Sequence, residues 1–145
     1  METIEIVVYG APKGQPRPRA FSRGGHARVF DPGTAEGWKG QIAIAARPFR
    51  PAVPWEGPVR VSIVFRFARP KSHYGRKNGE LHLKIDAPRY HTAKPDADNL
   101  AKAVLDALTT LGMWRDDAQV CQLDTLKVYA DSSQDAGAVI EIADK

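Results

Sequence analysis

Cysteine is almost absent from this sequence: Cys121 is the single one in 145 residues, so no disulfide can form within the chain. This excludes a small secreted domain held together by disulfides and fits a reducing compartment. No apolar run approaches the roughly 20 residues that cross a bilayer. The first residues, Met1 to Glu5, carry acids where a signal peptide carries basic residues. We therefore expect a cytoplasmic protein without a membrane partner.

Several enzyme motifs are missing as well. The four histidines do not have the spacing of zinc ligands, and a lone cysteine cannot build a cysteine cluster. Neither a P-loop nor a nucleophile elbow occurs. The composition is otherwise that of an ordinary globular protein, with 43% hydrophobic and 26% charged residues. The length suits one domain, which we predict to span residues 1–145.

Acidic residues are unevenly distributed along the chain. Residues 6–30 contain five basic residues and no acid, and residues 66–94 contain eight basic residues against two acids. By contrast, ten of the seventeen carboxylates follow residue 94. A polyanion would be attracted to the first two segments and repelled by the third, unless a metal ion is bound there. An ordinary solvated basic surface accounts for the charge alone equally well.

Hydrophobic periodicity predicts an α+β protein with the element order β-α-β-α-β-β, in which a small mixed sheet packs with two main helices. One helix is predicted over residues 35–47, with Thr34 as its cap, and the other from Asp98 to Leu111, ended by Gly112. The predicted strands cover residues 3–9, 59–67, 120–129 and 138–142.

Two segments are predicted to be basic, flexible loops. Residues 10–33 are rich in glycine and proline, and residues 70–90 are polar and basic. Cys121 falls within a predicted strand and is expected to be a small core residue, and Trp114 is expected to anchor the core.

Acids cluster at the two ends of the second helix. Asp96 and Asp98 lie where the chain enters the helix, and at 100° per residue Lys102 falls on the same side as Asp98. Asp116 and Asp117 lie in a turn that follows the helix. A β-α-β path can bring this turn back beside Asp96 and Asp98. Hard divalent cations need several such oxygen ligands. From spacing alone, however, a helix N-cap, an acidic turn pair and a solvated lysine explain these residues somewhat better.

The exact residues of this segment are more specific than their spacing. Lys94-Pro-Asp-Ala-Asp-Asn-Leu-Ala-Lys102, followed by Leu105-Asp-Ala-Leu108 and Gly112-Met-Trp-Arg-Asp-Asp-Ala-Gln-Val120, resembles the core of the RusA family of Holliday-junction resolvases. The opening Gly10-Ala-Pro-Lys-Gly-Gln-Pro-Arg-Pro-Arg19 is similar to the basic opening of that family. Gln15 stands where a basic residue is expected, and residues 70–90 match no motif of the family.

The resemblance implies a function and a set of site residues. Asp96, Asp98 and Asp117 match acids that bind Mg²⁺, for which Mn²⁺ substitutes, and Lys102 matches a lysine essential to cleavage. Asp116 is a further candidate ligand. Members of the family are homodimers that resolve four-way DNA junctions in recombination and repair, and phages or prophages often encode them. The charge of the two basic segments, and not the resemblance alone, supplies the residues expected to contact DNA: Lys13, Arg17, Arg19, Arg69, Lys71, Arg76, Lys77 and Lys94.

Two other classes of protein share parts of this pattern. A non-catalytic DNA-binding protein would use the basic segments equally well, but clustered carboxylates would repel phosphate without a metal ion. A different metal-dependent nuclease or a nucleotide phosphohydrolase would use the acids. A basic surface larger than a single phosphate pocket favours a long polyanion over a nucleotide.

Overall fold

Eight strands and two α-helices make up the part of the chain that the structure, a computed structural model, describes: residues 3–16, 19–23, 26–30 and 35–145, with the backbone alone for 19–23 and 26–30. The helices are α1 (Glu36–Ala46) and α2 (Ala97–Leu111). The strands are β1 (Ile4–Tyr9), β2 (Arg19–Arg23), β3 (His26–Phe30), β4 (Val59–Phe67), β5 (Tyr74–Lys77), β6 (Glu80–Leu83), β7 (Val120–Tyr129) and β8 (Gly137–Asp144).

The main sheet has four strands in the order β1-β8-β4-β7. β8 pairs antiparallel with both β1 and β4, whereas β4 pairs parallel with β7. A parallel pair requires a crossover connection, and here that connection contains α2. The predicted α+β class, with a mixed sheet and two main helices, is confirmed.

One face of the sheet forms the core with the two helices. Along β4 the residues alternate, with Val61, Ile63 and Phe65 fully buried. In α2, Leu100, Val104 and Leu108 recur at helical spacing and are also fully buried. Each such side chain stabilises the fold by about 1.5–3 kcal/mol. Neither helix of the described residues is long and apolar enough to cross a membrane.

The predicted helix bounds are close to those of the structure. α1 begins at Glu36 with Ala35 at its cap position, and the predicted cap Thr34 lies outside the described residues. α2 begins one residue earlier than predicted, at Ala97. Gly112 ends α2 in the left-handed conformation, with φ of 94°.

The prediction that residues 10–33 and 70–90 are loops is wrong, because each segment contains a two-stranded antiparallel hairpin. β2 pairs with β3, and β5 pairs with β6. In the second hairpin Asn78 and Gly79 both have positive φ, 54° and 78°, as a two-residue turn between antiparallel strands requires. Asn78-Gly79 is a sequence signal for such a turn. The sequence has another such signal, Gly24-Gly25, between β2 and β3.

Cys121 is exposed, which corrects its predicted place in the core. It lies on β7, at the edge of the main sheet, with its Sγ 3.7 Å from the carbonyl oxygen of Val59. The strand pattern predicts which residues alternate, but not whether a helix covers the edge strand. Trp114, in contrast, is buried as predicted.

Gly137, at the start of β8, is expected to be essential for stability. Its φ is 152°, and a Cβ atom there would lie 1.9 Å from the carbonyl oxygen of Val8. Left-handed strain alone costs about 1–2 kcal/mol, so Gly137→Ala should lower the free energy of unfolding by more than that, as measured by chemical denaturation. Gly57→Ala is the matched control, because Gly57 has φ of 90° and a Cβ atom there would meet nothing within 4 Å. Equal losses for the two variants would show that the contact with Val8 is unimportant.

Candidate active site

Asp96 and Asp98 lie at the corner where the chain enters α2. Asp96 occupies the cap position with extended backbone, after a cis peptide bond between Lys94 and Pro95. Its carboxylate makes no capping hydrogen bond within the described residues. The Asp98 carboxylate accepts a hydrogen bond of 2.9 Å from the backbone N–H of Asn99. Both acids are exposed. Because the Asp96 side chain makes no capping hydrogen bond in the described residues, Asp96 is not a simple helix cap.

A second acidic turn follows the other end of α2. The N–H of Gly112 donates to the carbonyl oxygens of Leu108 and Thr109, at 3.2 and 3.0 Å, which closes the helix. The Trp114 indole is buried and donates to the Thr109 hydroxyl at 2.7 Å. The chain then forms a 3₁₀ turn over Asp117–Gln119. The end of the helix and the start of the turn are therefore anchored in the core.

Gln119 fastens this turn to the neighbouring chain. Its side-chain oxygen accepts hydrogen bonds from the backbone N–H groups of Arg115 and Asp116, at 2.9 and 3.0 Å. Its amide nitrogen donates to the carbonyl oxygens of Trp55 and Gly57, both at 3.0 Å. One side chain thus joins two segments of backbone that are far apart in sequence.

Asp116 shapes the same turn. Its carboxylate accepts a hydrogen bond of 2.8 Å from the backbone N–H of Ala118, which completes a capping box with Gln119. The side chain is exposed. This contact gives Asp116 a structural role beside Asp117.

Lys102 links α2 to the acidic turn that follows the helix. The Lys102 ammonium donates to Asp117 Oδ2 at 2.7 Å, from one helical turn after Asp98. This hydrogen bond, with the charge of Asp117 as a smaller cause, raises the pKa of Lys102. The same hydrogen bond from Lys102 lowers the pKa of Asp117. Both groups are therefore charged at neutral pH.

The acids match a hard divalent ion in chemistry but are not gathered around one point. Their donors are all carboxylate oxygens, which Mg²⁺ prefers. Within residues 3–16 and 35–145, whose side chains are described, no group of three or more His, Cys, Asp or Glu residues has the geometry to hold a metal ion. The carboxylate donors fit Mg²⁺. In this structure the Lys102 ammonium neutralises the Asp117 carboxylate.

The family model for endodeoxyribonuclease RusA matches residues 9–143, which include both acidic turns and α2. This chain belongs to the RusA family. It is 35% identical over 131 residues to the uncharacterized protein YqaN of Bacillus subtilis (strain 168), covering 90% of this chain and 91% of that protein. It is also 40% identical over 48 residues to the crossover junction endodeoxyribonuclease RusA of Escherichia coli (strain K12), and of Shigella sonnei (strain Ss046). Those matches cover 33% of this chain and 40% of each relative.

The basic opening of this RusA-family chain lies against the start of α2. The backbone N–H of Gln15 donates to the carbonyl oxygen of Asn99 at 2.9 Å. A Cβ atom on Gly14 would lie 3.2 Å from the Cβ of Asn99 and 3.3 Å from that of Pro95, so the close approach favours glycine. Lys13, directly before, is exposed. The charge of this segment is evident in the sequence, but its packing on the acidic corner is not.

The other residues expected to contact DNA lie in different settings. Lys94 is exposed directly before the acidic corner. Arg69 braces the fold instead: its guanidinium donates to the Pro88 carbonyl oxygen at 2.6 Å and lies 5.2 Å from the centre of the Tyr129 ring. Lys71, Arg76 and Lys77 are exposed on or beside the β5–β6 hairpin. Arg17 lies outside the described residues, and for Arg19 only the backbone, in β2, is described.

Removing the amide of Gln119 should loosen the acidic turn. Gln119→Met leaves four backbone groups without their partner. Three of these hydrogen bonds are exposed and one is partly buried, so water can replace the lost partner and the cost is about 0.5–1.5 kcal/mol. We expect a loss of free energy of unfolding in that range and faster hydrogen exchange at residues 115–118. Gln122→Met is the matched control, since Gln122 makes one long contact, 3.3 Å to Asp124. Unchanged exchange in the Gln119 variant would contradict this role.

Proposed function

We propose that the protein is a metal-dependent endonuclease that cleaves four-way DNA junctions by phosphodiester hydrolysis, in DNA recombination and repair. The observation that carries this proposal is the 2.7 Å contact between Lys102 of α2 and Asp117 of the acidic turn, inside the RusA-family match. The choice of substrate follows the name of the Escherichia coli relative, a crossover junction endodeoxyribonuclease.

Asp96, Asp98 and Asp117 would hold the metal ion. Mg²⁺, or Mn²⁺ in its place, would supply Lewis acidity and activate the attacking water. Asp116 already caps the turn through Ala118, and so it orients Asp117. In this proposal the main role of Asp116 is to position Asp117, and binding the metal ion is its secondary role.

Lys102 would act on the substrate. Its ammonium lies on an exposed part of α2 and is bonded to Asp117 when no other cation neutralises that carboxylate. Once Asp117 is neutralised in another way, Lys102 can donate to a phosphate oxygen. A cation at this position stabilises the negative charge that develops as the phosphodiester is cleaved.

DNA would approach over the basic residues next to the acidic corner. Lys13 and Lys94 are both exposed there, and Lys71, Arg76 and Lys77 extend the positive charge along the β5–β6 hairpin. Two cuts on opposite strands need two active sites, and a homodimer supplies them by symmetry. We therefore propose that the protein acts as a homodimer on branched DNA.

A non-catalytic DNA-binding protein is the second candidate. It is favoured by one observation, that the described acids are not assembled into a group of three around one point. The two candidates differ in whether Mg²⁺ supports cleavage of a four-way junction, which a single assay on the wild-type protein decides.

Replacing the proposed ligands should separate cleavage from binding. Asp96→Asn, Asp98→Asn and Asp117→Asn should each abolish cleavage of a four-way junction in Mg²⁺, because each removes an anionic ligand. Junction affinity should stay the same or rise, because repulsion of phosphate is relieved. Asp106→Asn is the matched control on α2, since Asp106 pairs with Lys39 of α1. A variant that cuts at the wild-type rate would remove its residue from the metal site.

Lys102→Ala tests whether this lysine acts in the reaction. Alanine is an excellent helix former, so the fold should be retained. Single-turnover cleavage should fall by on the order of 100-fold or more, while junction affinity falls much less because other cations remain. Thr110→Ala, at an exposed position of the same helix, controls for the change in the helix surface. Normal melting together with wild-type cleavage would remove Lys102 from the reaction.

A further inference from the structure

The β5–β6 hairpin has two chemically different faces. The cross-strand pairs are Tyr74 with Leu83, Gly75 with His82, Arg76 with Leu81, and Lys77 with Glu80. Because successive residues of a strand point to opposite faces, the first and third pairs share one face and the other two pairs share the opposite face. We call the face with Tyr74, Arg76, Leu81 and Leu83 the Tyr74 face.

The Tyr74 face combines apolar surface with positive charge. Leu81 and Leu83 are 58% and 50% exposed, although a leucine normally finds apolar cover. A shallow cavity of about 390 Å³ on this face is lined by Lys71, Tyr74, Gly75, Arg76 and Leu81. No carboxylate is among these lining residues. The one acid of the two strands, Glu80, lies on the opposite face, 3.7 Å from His82.

The hairpin is held in place at its base. The backbone N–H of Lys84 donates to the carbonyl oxygen of His73 at 2.9 Å. The His73 ring packs edge-on against Tyr129 of β7, with 4.7 Å between the ring centres. The Tyr74 face is therefore presented by an anchored ribbon, yet in the described residues the main sheet does not extend to it. A two-stranded ribbon alone gives its leucines little cover.

We propose that the Tyr74 face binds unstacked nucleotides of a DNA strand. Tyr74 and the two leucines would pack against an exposed base or sugar, and Lys71 and Arg76 would bind the flanking phosphates. An intact duplex offers the apolar surface of its bases only inside the stack, whereas a branch point exposes it. The charge of this face excludes a cationic partner. The inference rests on the proposed function and adds a second point of contact to it, outside the acidic site.

Adjacent residues on opposite faces provide the test. Arg76→Ala and Lys77→Ala remove the same charge from neighbouring positions, and Leu81→Ser and His82→Ser change neighbouring side chains without removing a lysine or arginine. Affinity is measured without divalent metal, so that no cleavage occurs, on a single-stranded oligonucleotide, a four-way junction and a linear duplex. Leu83→Ser provides a second apolar variant, and melting temperature confirms that each variant folds.

We expect Arg76→Ala, Leu81→Ser and Leu83→Ser each to weaken binding of the single strand and the junction by on the order of 10-fold. Lys77→Ala should weaken it by less than about 3-fold, through the general loss of charge, and His82→Ser should weaken it by no more than Lys77→Ala. Equal losses for Arg76 and Lys77, with no effect of either leucine, would overturn the proposal, as would equal losses on duplex and single strand. Wild-type protein that binds but does not cut would refute the proposed function and leave this inference standing.

Discussion

The parallel pairing of β4 with β7 is the constraint on which the candidate site depends. Two strands that run in the same direction cannot be joined by a tight turn, so the chain must cross over the sheet between them. That crossover carries α2, and its two ends carry the acids: Asp96 and Asp98 before the helix, and Asp117 after it. The pairing of β7 with β4 therefore requires the chain after α2 to turn back alongside the helix. Lys102 meets Asp117 as a result of this return.

The Lys102–Asp117 ion pair contributes little to the stability of the fold. The two side chains are 53% and 33% exposed, and ion pairs at such sites contribute at most about 1 kcal/mol. The core contributes far more, since Leu100, Val104 and Leu108 of the same helix are fully buried. The fold would survive without the pair. A pair of charges that the fold does not need is better explained by the chemistry of the site than by folding.

The class of fold, α2 and the strands of the main sheet could be predicted because each has a repeating signal. Alternation in β4 and the apolar seam of α2 report burial directly, and Gly112 marks the end of the helix. The hairpin β5–β6 has a local signal too, Asn78-Gly79, but its strands are polar and exposed, and so they lack the apolar pattern that identifies the others. Charge and glycine content alone favour a loop there.

Contacts between distant segments carry no such signal. The hydrogen bonds from Gln119 to Trp55 and Gly57 depend on where two loops meet, and no periodicity in either loop encodes that meeting. The packing of Gly14 against Asn99 is of the same kind. Burial on an edge strand is also a tertiary property, as the exposed Cys121 shows. The family resemblance includes Gln119 and the basic opening that contains Gly14. It marks these positions but does not explain which contacts they make.

The distribution of charge follows from this architecture. The acids are grouped at the two ends of α2, where exposed carboxylates repel a polyanion. The basic opening packs on Asn99 beside the first of these groups, and further basic residues lie on the β5–β6 hairpin. A phosphate backbone attracted by Lys13 and Lys94 would meet Asp96 and Asp98 at close range. Attraction and repulsion therefore compete at one corner of the molecule, and a cation at the acids changes the sign of the local interaction. The basic residues and the acids around α2 therefore act together: the first attract the phosphate backbone, and the second let it approach only when a cation is bound.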